Sequence, residues 1–144
     1  MNPLNPPAAA IAAGRDVLKR TADYLNRALS FAVETTLSSR GRVDLIRKAK
    51  ARGYEIYLVF IGLDSPERCI TRIRNRAARG GNFIPDADVR RRYVRSVANA
   101  AQALRLADAA KFYDNSGDSA RLILVANAGI VVWQAAPFPE WVKL

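Results

Sequence analysis

The segment Ser30–Ser38 (SFAVETTLS) joins a short apolar run to a carboxylate and several hydroxyl groups. Glu34 follows the apolar residues, and the hydroxyl side chains of Thr35, Thr36 and Ser38 come next. Ligands of open α/β sheets bind just beyond the carboxyl ends of parallel strands. A strand over Ser30–Glu34 would therefore place these polar groups at a substrate site. The alternative is a strand that leads into a helix cap, with Glu34 simply solvated.

A dense group of arginines forms the second candidate for chemistry. On two predicted helices that flank Gly80-Gly81, guanidinium groups could close over a polyphosphate, because their planar fork bonds phosphate oxygens in pairs. Phosphoryl transfer depends on such positioned positive charge. The alternative is a solvated helix surface, but the nearby acids Glu67, Asp86 and Asp88 are too few to pair every arginine. The group comprises Arg72, Arg74, Arg76, Arg79, Arg90, Arg91, Arg92 and Arg95.

Composition limits the possible classes of protein. A chain of 144 residues, half of them hydrophobic, is long enough for one domain, predicted over residues 1–144. The net charge of +10 favours an anionic partner, which could be a nucleotide, a nucleic acid or an acidic protein. Cys69 is the single cysteine and histidine is absent, which excludes an internal disulfide, histidine-based zinc sites and histidine triads. No apolar run reaches the length of a membrane span, and we expect a cytoplasmic protein.

Helical patterns occupy much of the chain. The proline-rich opening, residues 1–7, is predicted to be irregular, and an amphipathic helix of about 20 residues follows, ending near Leu29. Ser38-Ser39 can cap a second helix that stops at Gly53. Ser65-Pro66 is a strong signal for the start of a third. After the Gly-Gly loop, a long fourth helix begins at Asp86.

Strand patterns alternate with these helices. The run Ile56–Ile61 lacks polar alternation, which is typical of a strand buried on both faces of a parallel sheet. Lys111–Asp114 reads as another strand, and Leu122–Ala126 with Ile130–Trp133 reads as a hairpin. Trp141 is expected to hold the C-terminal tail against the body. The predicted fold class is α/β: a mainly parallel sheet flanked by helices, with a C-terminal β-hairpin.

Several of these segments together resemble the zeta toxin type of P-loop kinases. Their order along the chain matches the order in that family, which makes the resemblance more specific than any one motif. The matching segments are Ala8–Ala10, Ala13–Arg15, Phe31–Ser38, Gly53–Ile56 continuing into Leu63, Arg72 and Arg76, Gly80-Gly81, Ile84-Pro85, Arg91–Tyr93 with Ser96 and Asn99, and Tyr113–Ser116.

The resemblance implies a kinase that uses ATP and Mg²⁺ to phosphorylate a hydroxyl group, with UDP-N-acetylglucosamine as the substrate of the toxins. It implies an antitoxin-like partner as well. In this sequence Glu34, Thr35, Thr36 and Ser38 would contact the substrate. The nucleotide would be held by Arg72, Arg76, Arg79, Asn115 and Ser116, with Arg76, Arg91 and Arg92 as arginines of the lid.

The chain lacks the phosphate-binding motif and the catalytic base of such kinases. It contains no G-x-x-x-x-G-K-[ST] motif, whose amides and lysine hold phosphates and whose hydroxyl meets Mg²⁺. Leu4 stands where the family's Asn-Pro-Asp segment carries its catalytic base. Since losing a single electrostatic donor costs roughly 100- to 1000-fold in rate, we expect a truncated or degenerate kinase, inactive as this chain alone and with no metal site of its own.

The missing segment also includes a strand that would lie between the strand ending at Glu34 and the one ending at Leu63. We expect either that these two strands pair directly or that a partner chain fills the gap.

Other interpretations remain open. The gene product could begin upstream and include the phosphate loop. The chain could instead be a basic interaction module that binds an acidic protein or completes a kinase in trans. Nucleic-acid binding is the least favoured, because the arginine-rich region matches no known nucleic-acid motif.

Overall fold

The first helix, α1, covers Pro6–Asn26 in the computed structural model, which describes the backbone of residues 6–144 and the side chains of residues 12–144. It belongs to a compact unit that ends at Glu34, and a second unit covers Thr35–Leu144. Proline is tolerated in a first helical turn, where its missing N–H would have no acceptor. The expectation of an irregular opening is therefore wrong for Pro6 and Pro7, and for residues 1–5 it lies outside the described residues.

The segment Ser30–Glu34 forms neither helix nor strand, so the strand predicted there is wrong. After α1, the Leu29 N–H donates to the Tyr24 carbonyl at 3.0 Å, and Ala28 has a φ of 53°. A strand needs a neighbour that shares its ladder of hydrogen bonds. None of the described strands pairs with this segment, and local β-propensity does not replace that pairing.

The serine cap predicted for the first helix of the second unit is not formed, because Ser39 stands at its N-cap without a side-chain hydrogen bond. The three predicted helices themselves are confirmed. They are α2 (Arg40–Ala51), α3 (Pro66–Ala78) and α4 (Asp86–Leu106). The Ser65 hydroxyl accepts a hydrogen bond from the Arg68 N–H at 3.3 Å and so caps α3. None of the described helices is long and apolar enough to cross a membrane.

The sheet contains four described strands in the order β1-β2-β3-β4. These are β1 (Tyr57–Gly62), β2 (Ala109–Asp114), β3 (Arg121–Asn127) and β4 (Ile130–Gln134). Only β1 and β2 are parallel, because α3 and α4 lie in the long connection between them. The later strands follow short turns, which impose antiparallel pairing. The C-terminal hairpin is confirmed, but the sheet is mixed and the prediction of a mainly parallel sheet is wrong.

The core of the second unit lies between α4 and one face of the sheet. Phe112, Ile123 and Leu124 are almost completely buried there, beside Ala103 of α4. Trp141 joins this cluster and packs against Phe60, with ring centroids 6.2 Å apart. The predicted anchoring of the tail by Trp141 is therefore confirmed.

Strand β1 is not buried on both faces, which corrects the sequence prediction. Leu58 and Phe60 pack against the core, whereas Tyr57, Val59 and Ile61 are 73, 63 and 60% exposed. β1 is also an edge strand, whose only described neighbour is β2. Of the two expected arrangements, direct pairing of β1 with a strand ending at Glu34 does not occur, because residues 30–34 form no strand. A partner chain in the gap stays a prediction.

Asp108 connects the start of β1 to α2 and gives a testable pH dependence. Its carboxylate accepts hydrogen bonds from the Lys50 ammonium at 2.6 Å and from the Ile56 N–H at 2.7 Å. These bonds, that from Lys50 first, lower the pKa of Asp108. Since the folded-state pKa lies below the unfolded value of about 3.9, this stabilisation is complete above about pH 5 and is lost as the pH falls through the folded-state pKa.

We therefore expect the free energy of unfolding to fall less steeply between pH 6 and pH 3 in Asp108→Asn than in the unsubstituted protein. Urea unfolding at several pH values measures this difference. Asp118→Asn is the matched control, because Asp118 forms no ion pair with any described residue. Identical slopes for Asp108→Asn and the unsubstituted protein would contradict the assignment.

Candidate functional site

A cleft of about 500 Å³ lies at the carboxyl end of α3. Helical spacing gathers its polar side chains, because positions three and four apart are neighbours on a helix surface. The loop after α3 completes the wall. The lining residues, here called the arginine cleft, are Arg72, Asn75, Arg76, Arg79, Gly80 and Gly81.

Two glycines allow the loop to fold back onto α3. Gly80 has a φ of 89°, which is a left-handed conformation that favours glycine. The Gly81 N–H donates to the Arg76 carbonyl at 2.9 Å. A Cβ atom on Gly81 would lie only 2.7 Å from Cγ of Arg76. The Gly-Gly pair therefore determines the shape of the arginine cleft.

The available acids pair with arginines outside the cleft. Arg74 pairs with Asp86, Arg90 with Glu67 and Arg91 with Asp88. Among the residues that the structure describes, no carboxylate forms an ion pair with Arg76 or Arg79. The cleft thus presents guanidinium groups whose positive charge is not compensated locally.

Arg72 connects the arginine cleft to the loop after β2. Its Nη2 atom donates to the Asn115 carbonyl at 2.6 Å. The neighbouring Ser116 hydroxyl accepts from the Asp64 N–H at 2.8 Å and contacts the Asp114 carboxylate at 2.5 Å. The structure therefore brings together the nucleotide-binding residues that were predicted on α3 and on the loop after β2.

A bidentate ion pair borders this region at the carboxyl end of β1. Arg68 donates to both carboxylate oxygens of Asp64, at 2.8 and 2.9 Å. The hydrogen bond from Arg68 lowers the pKa of Asp64, which favours its ionised form. Arg68 is therefore already paired with a carboxylate, that of Asp64. The sequence interpretation did not identify this pair, although the spacing of four residues on a helix start was a usable signal.

The predicted substrate residues lie in a second place, here called the hydroxyl loop (Thr35–Ser39). The Thr36 and Ser38 hydroxyls are 2.9 Å apart and hydrogen bonded to each other. Thr35 accepts from the Leu37 N–H at 3.1 Å, and Leu37 has a φ of 56° with its side chain buried in the core. The hydroxyl loop therefore has a defined shape without being a strand.

Helix α4 holds the hydroxyl loop through two side chains. Ser96 donates to the Thr36 carbonyl at 2.6 Å, and Asn99 donates to the Leu37 carbonyl at 2.7 Å. Ser96 and Asn99 belong to the family resemblance, and their contacts give them a positioning role in this chain. No described hydrogen bond connects the hydroxyl loop directly to the arginine cleft.

The Asn99 contact predicts a stability change. Asn99 is buried, so Asn99→Ala leaves the Leu37 carbonyl without its donor. We expect the free energy of unfolding to fall by about 1 to 3 kcal/mol, measured by urea unfolding. Val94→Ala, on the exposed side of α4, is the control and should change stability little. An Asn99→Ala protein as stable as the control would contradict this role.

Some predicted residues are not brought to the arginine cleft. Arg91 and Arg92 lie on α4 and are not among the lining residues. Glu34 is exposed and ends the first unit, whereas Thr35 begins the second. Asn75 lines the cleft but was not predicted, although its spacing from Arg72 and Arg79 on the α3 pattern indicated it.

The implied ATP and Mg²⁺ can be compared with these residues. The arginine cleft fits phosphate groups, because arginines suit phosphate oxygens and no described acid neutralises Arg76 or Arg79. Among residues 12–144, no group of three or more His, Cys, Asp or Glu side chains is placed to hold a metal ion. Magnesium in kinase sites is usually bound by one or two carboxylates together with the nucleotide phosphates. The fit of the described residues therefore concerns the phosphate groups alone.

Comparison with known proteins agrees with the resemblance. The sequence profile of the zeta toxin family matches residues 10–136. The chain is similar to an uncharacterized protein of Haemophilus influenzae, with 33% identity over 93 residues, which is 65% of this chain and 66% of that protein. The match thus spans slightly less than two thirds of the relative's length. No solved structure matches the chain. The profile match covers most of the sequence, and the chain therefore belongs to the zeta toxin family.

Proposed function

We propose that this chain is a zeta toxin-like kinase segment that holds nucleotide phosphates in the arginine cleft but does not complete phosphoryl transfer by itself. One observation carries the proposal: Arg76 and Arg79 line a single cleft and have no carboxylate partner among the described residues. Charge-assisted bonds from arginine to phosphate are short and strong. An anionic ligand of this kind supplies the charge that the cleft lacks.

Family membership supports the identity of the ligands. ATP is the proposed phosphate donor, accompanied by Mg²⁺, and the hydroxyl of a nucleotide sugar is the proposed acceptor. Glu34 and the hydroxyl loop contact the acceptor, while Arg72, Asn115 and Ser116 border the nucleotide. Arg91 and Arg92 act as lid arginines that approach the phosphates on binding. The proposed location is the cytoplasm. The proposed domain organisation is a single domain over residues 1–144.

The proposed lack of transfer activity rests on the sequence. The 144 residues include no G-x-x-x-x-G-K-[ST] motif and no aspartate after Asn2-Pro3. Phosphoryl transfer is catalysed by positioned positive charge around the transferred group. The arginine cleft supplies part of that charge, but without the amides and lysine of a phosphate loop and without a base for the acceptor hydroxyl we expect no measurable transfer.

Two measurements on the purified chain test the proposal. Titration calorimetry with ATP and Mg²⁺ is expected to detect binding that weakens as salt is raised. ADP release in the presence of ATP, Mg²⁺ and UDP-N-acetylglucosamine is expected to stay at the level of the protein-free control. Absence of nucleotide binding would overturn the first half of the proposal, and sustained ADP release would overturn the second.

A second function is favoured by a different part of the molecule. β1 is an edge strand with exposed apolar side chains, and open edges of this kind readily accept partner chains. Together with the net charge of +10, this supports an interaction module that binds an acidic protein or completes a kinase in trans. The two functions are compatible, because none of the residues that line the arginine cleft belongs to β1.

A further inference from the structure

The face of the sheet opposite α4 is apolar and exposed. The cross-strand register places Tyr57, Ala109, Asn127 and Ile130 in one row, because residues directly opposite one another share a face. A second row contains Val59, Lys111, Val125 and Trp133, and a third contains Ile61, Tyr113 and Leu122. These three rows are here called the open face.

The open face is unevenly exposed. Its most exposed apolar side chains stand on the two outer strands: Val59 and its neighbours on β1, and Ile130 and Trp133, 69 and 47% exposed, on β4. The inner strands carry the half-buried residues Ala109, Tyr113, Leu122 and Val125 and the exposed Lys111. Strands lie about 4.8 Å apart, so the outer strands are separated by roughly 14 Å. A helix, about 10 Å in diameter, is narrow enough to pack on a face of this width.

Lys111 is the charge at the centre of the open face. It is exposed in the middle row, between Val59 and Val125. Among the described residues, no carboxylate forms an ion pair with Lys111. A lysine surrounded by apolar side chains requires an acidic group in whatever covers it, because burying an unpaired ammonium is costly.

The charge of Lys111 favours one kind of binding partner for the open face over the others. Two copies of the chain packed through their open faces would bring two Lys111 side chains together, and each copy carries a net charge of +10. Like charges in a buried interface are strongly unfavourable. A nucleic acid would satisfy Lys111 but would leave the apolar rows uncovered. An acidic amphipathic helix satisfies both the apolar rows and the charge.

We propose that the open face binds an amphipathic helix of an acidic partner protein, with a carboxylate of that helix paired to Lys111. The inference rests on the interaction function described above and not on phosphate binding in the arginine cleft. An apolar surface of several hundred Å² is typical of a protein interaction site. Helices are also the usual cover of a sheet that contains parallel strands.

Site-specific photo-crosslinking tests the proposal. A photoreactive phenylalanine analogue replaces Val59 in the full chain, produced in the cells that naturally make it, and cross-linked peptides are identified by mass spectrometry. The analogue at Lys48, exposed on α2, is the matched control, and the analogue at Trp133 is a second probe if the first variant does not fold. We expect a peptide of another protein, with apolar residues at helical spacing and at least one acid, cross-linked from Val59 but not from Lys48.

The identified segment, made as a synthetic peptide, then tests Lys111. We expect Lys111→Glu to weaken its binding at least about 100-fold, which is the effect of exchanging a charge-paired contact for a like-charge contact. Lys48→Glu, with the same change in net charge, should bind the peptide as the unsubstituted chain does. Equal binding by both variants would overturn the proposal.

Other outcomes also decide the question. Cross-links to the chain's own peptides, together with a dimer in light scattering that Val59→Arg disrupts, would assign the open face to a second copy. Cross-links to nucleic acid, to a basic or non-helical segment, or to nothing from either probe would equally overturn the proposal. ATP binding by the same preparations reports separately on the arginine cleft, so failure of one function is distinguishable from failure of the other.

Discussion

Replacing Arg76 and Arg79 together by alanine is expected to weaken binding of inorganic triphosphate by about 100-fold. Both side chains line the arginine cleft, and neither is paired with a described carboxylate. A hydrogen bond to a charged group contributes about 1.5 to 3 kcal/mol, and each 1.4 kcal/mol is a factor of ten in affinity. Both arginines are exposed, so solvent screening reduces the expected loss to just below that range, about 1.4 kcal/mol for each arginine and therefore about 100-fold for the pair.

Calorimetry with inorganic triphosphate at low salt provides the measurement. The matched control is the double variant Arg47→Ala and Lys48→Ala on α2, which removes the same net charge from an exposed surface outside the cleft. It should bind triphosphate nearly as the unsubstituted chain does. An equal loss in both double variants would mean that net charge, and not the arginine cleft, holds the ligand.

Arginine geometry makes a finer distinction. Arg76→Lys and Arg79→Lys keep the charge but lose the planar fork that bonds two phosphate oxygens at once. We expect their affinity to lie between those of the unsubstituted chain and the double alanine variant. If the lysine variants bind triphosphate as tightly as the unsubstituted chain, the attraction is diffuse and electrostatic and does not depend on bidentate contacts.

The second large effect concerns Gly62, the last residue of β1. A Cβ atom at Gly62 would lie 2.2 Å from the Trp141 ring, closer than any tolerated contact. Gly62→Ala must therefore displace Trp141 or bend β1. Overpacking typically costs about 1 to 3 kcal/mol, and losing a buried tryptophan contact costs about 3 to 5 kcal/mol. We expect the free energy of unfolding to fall by about 2 to 4 kcal/mol.

Urea unfolding and tryptophan fluorescence measure this effect in a Trp133→Phe background, so that emission reports on Trp141 alone. Gly62→Ala should shift that emission to longer wavelength, because water reaches the indole. Gly41→Ala is the matched control, because Gly41 lies in α2 and an added Cβ would have no contact within 4 Å beyond the backbone of its own helix. We expect the free energy of unfolding of this variant to rise by up to about 1 kcal/mol. Unchanged emission and stability in Gly62→Ala would contradict the packing described for Trp141.

Local patterns predicted most of the secondary structure. Ser65-Pro66 marked the start of α3, the spacing from Asp86 onwards marked α4, and Asn127–Gly129 marked the hairpin turn. Each of these signals acts through backbone geometry or hydrogen bonds within a few residues. Family membership could also be predicted from the sequence, because it depends on the order of motifs along the chain.

Long-range pairing is what local patterns left undecided. The apolar run before Glu34 looked like a strand, but a strand exists only where a neighbour shares its hydrogen bonds. The run Ile56–Ile61 looked buried on both faces, yet one face of β1 is exposed, because burial depends on what packs against a segment and not on its own composition.

The sequence by itself therefore determined the family, the helices, the hairpin and the group of arginines. Only the tertiary structure decided which arginines are paired with a carboxylate, since the pairs Arg74–Asp86 and Arg90–Glu67 join residues far apart in the chain. It also decided that the hydroxyl loop is held by α4, and that the sheet has an open edge and an open face. These features arise from contacts between distant segments, whose free energy no local pattern of residues encodes.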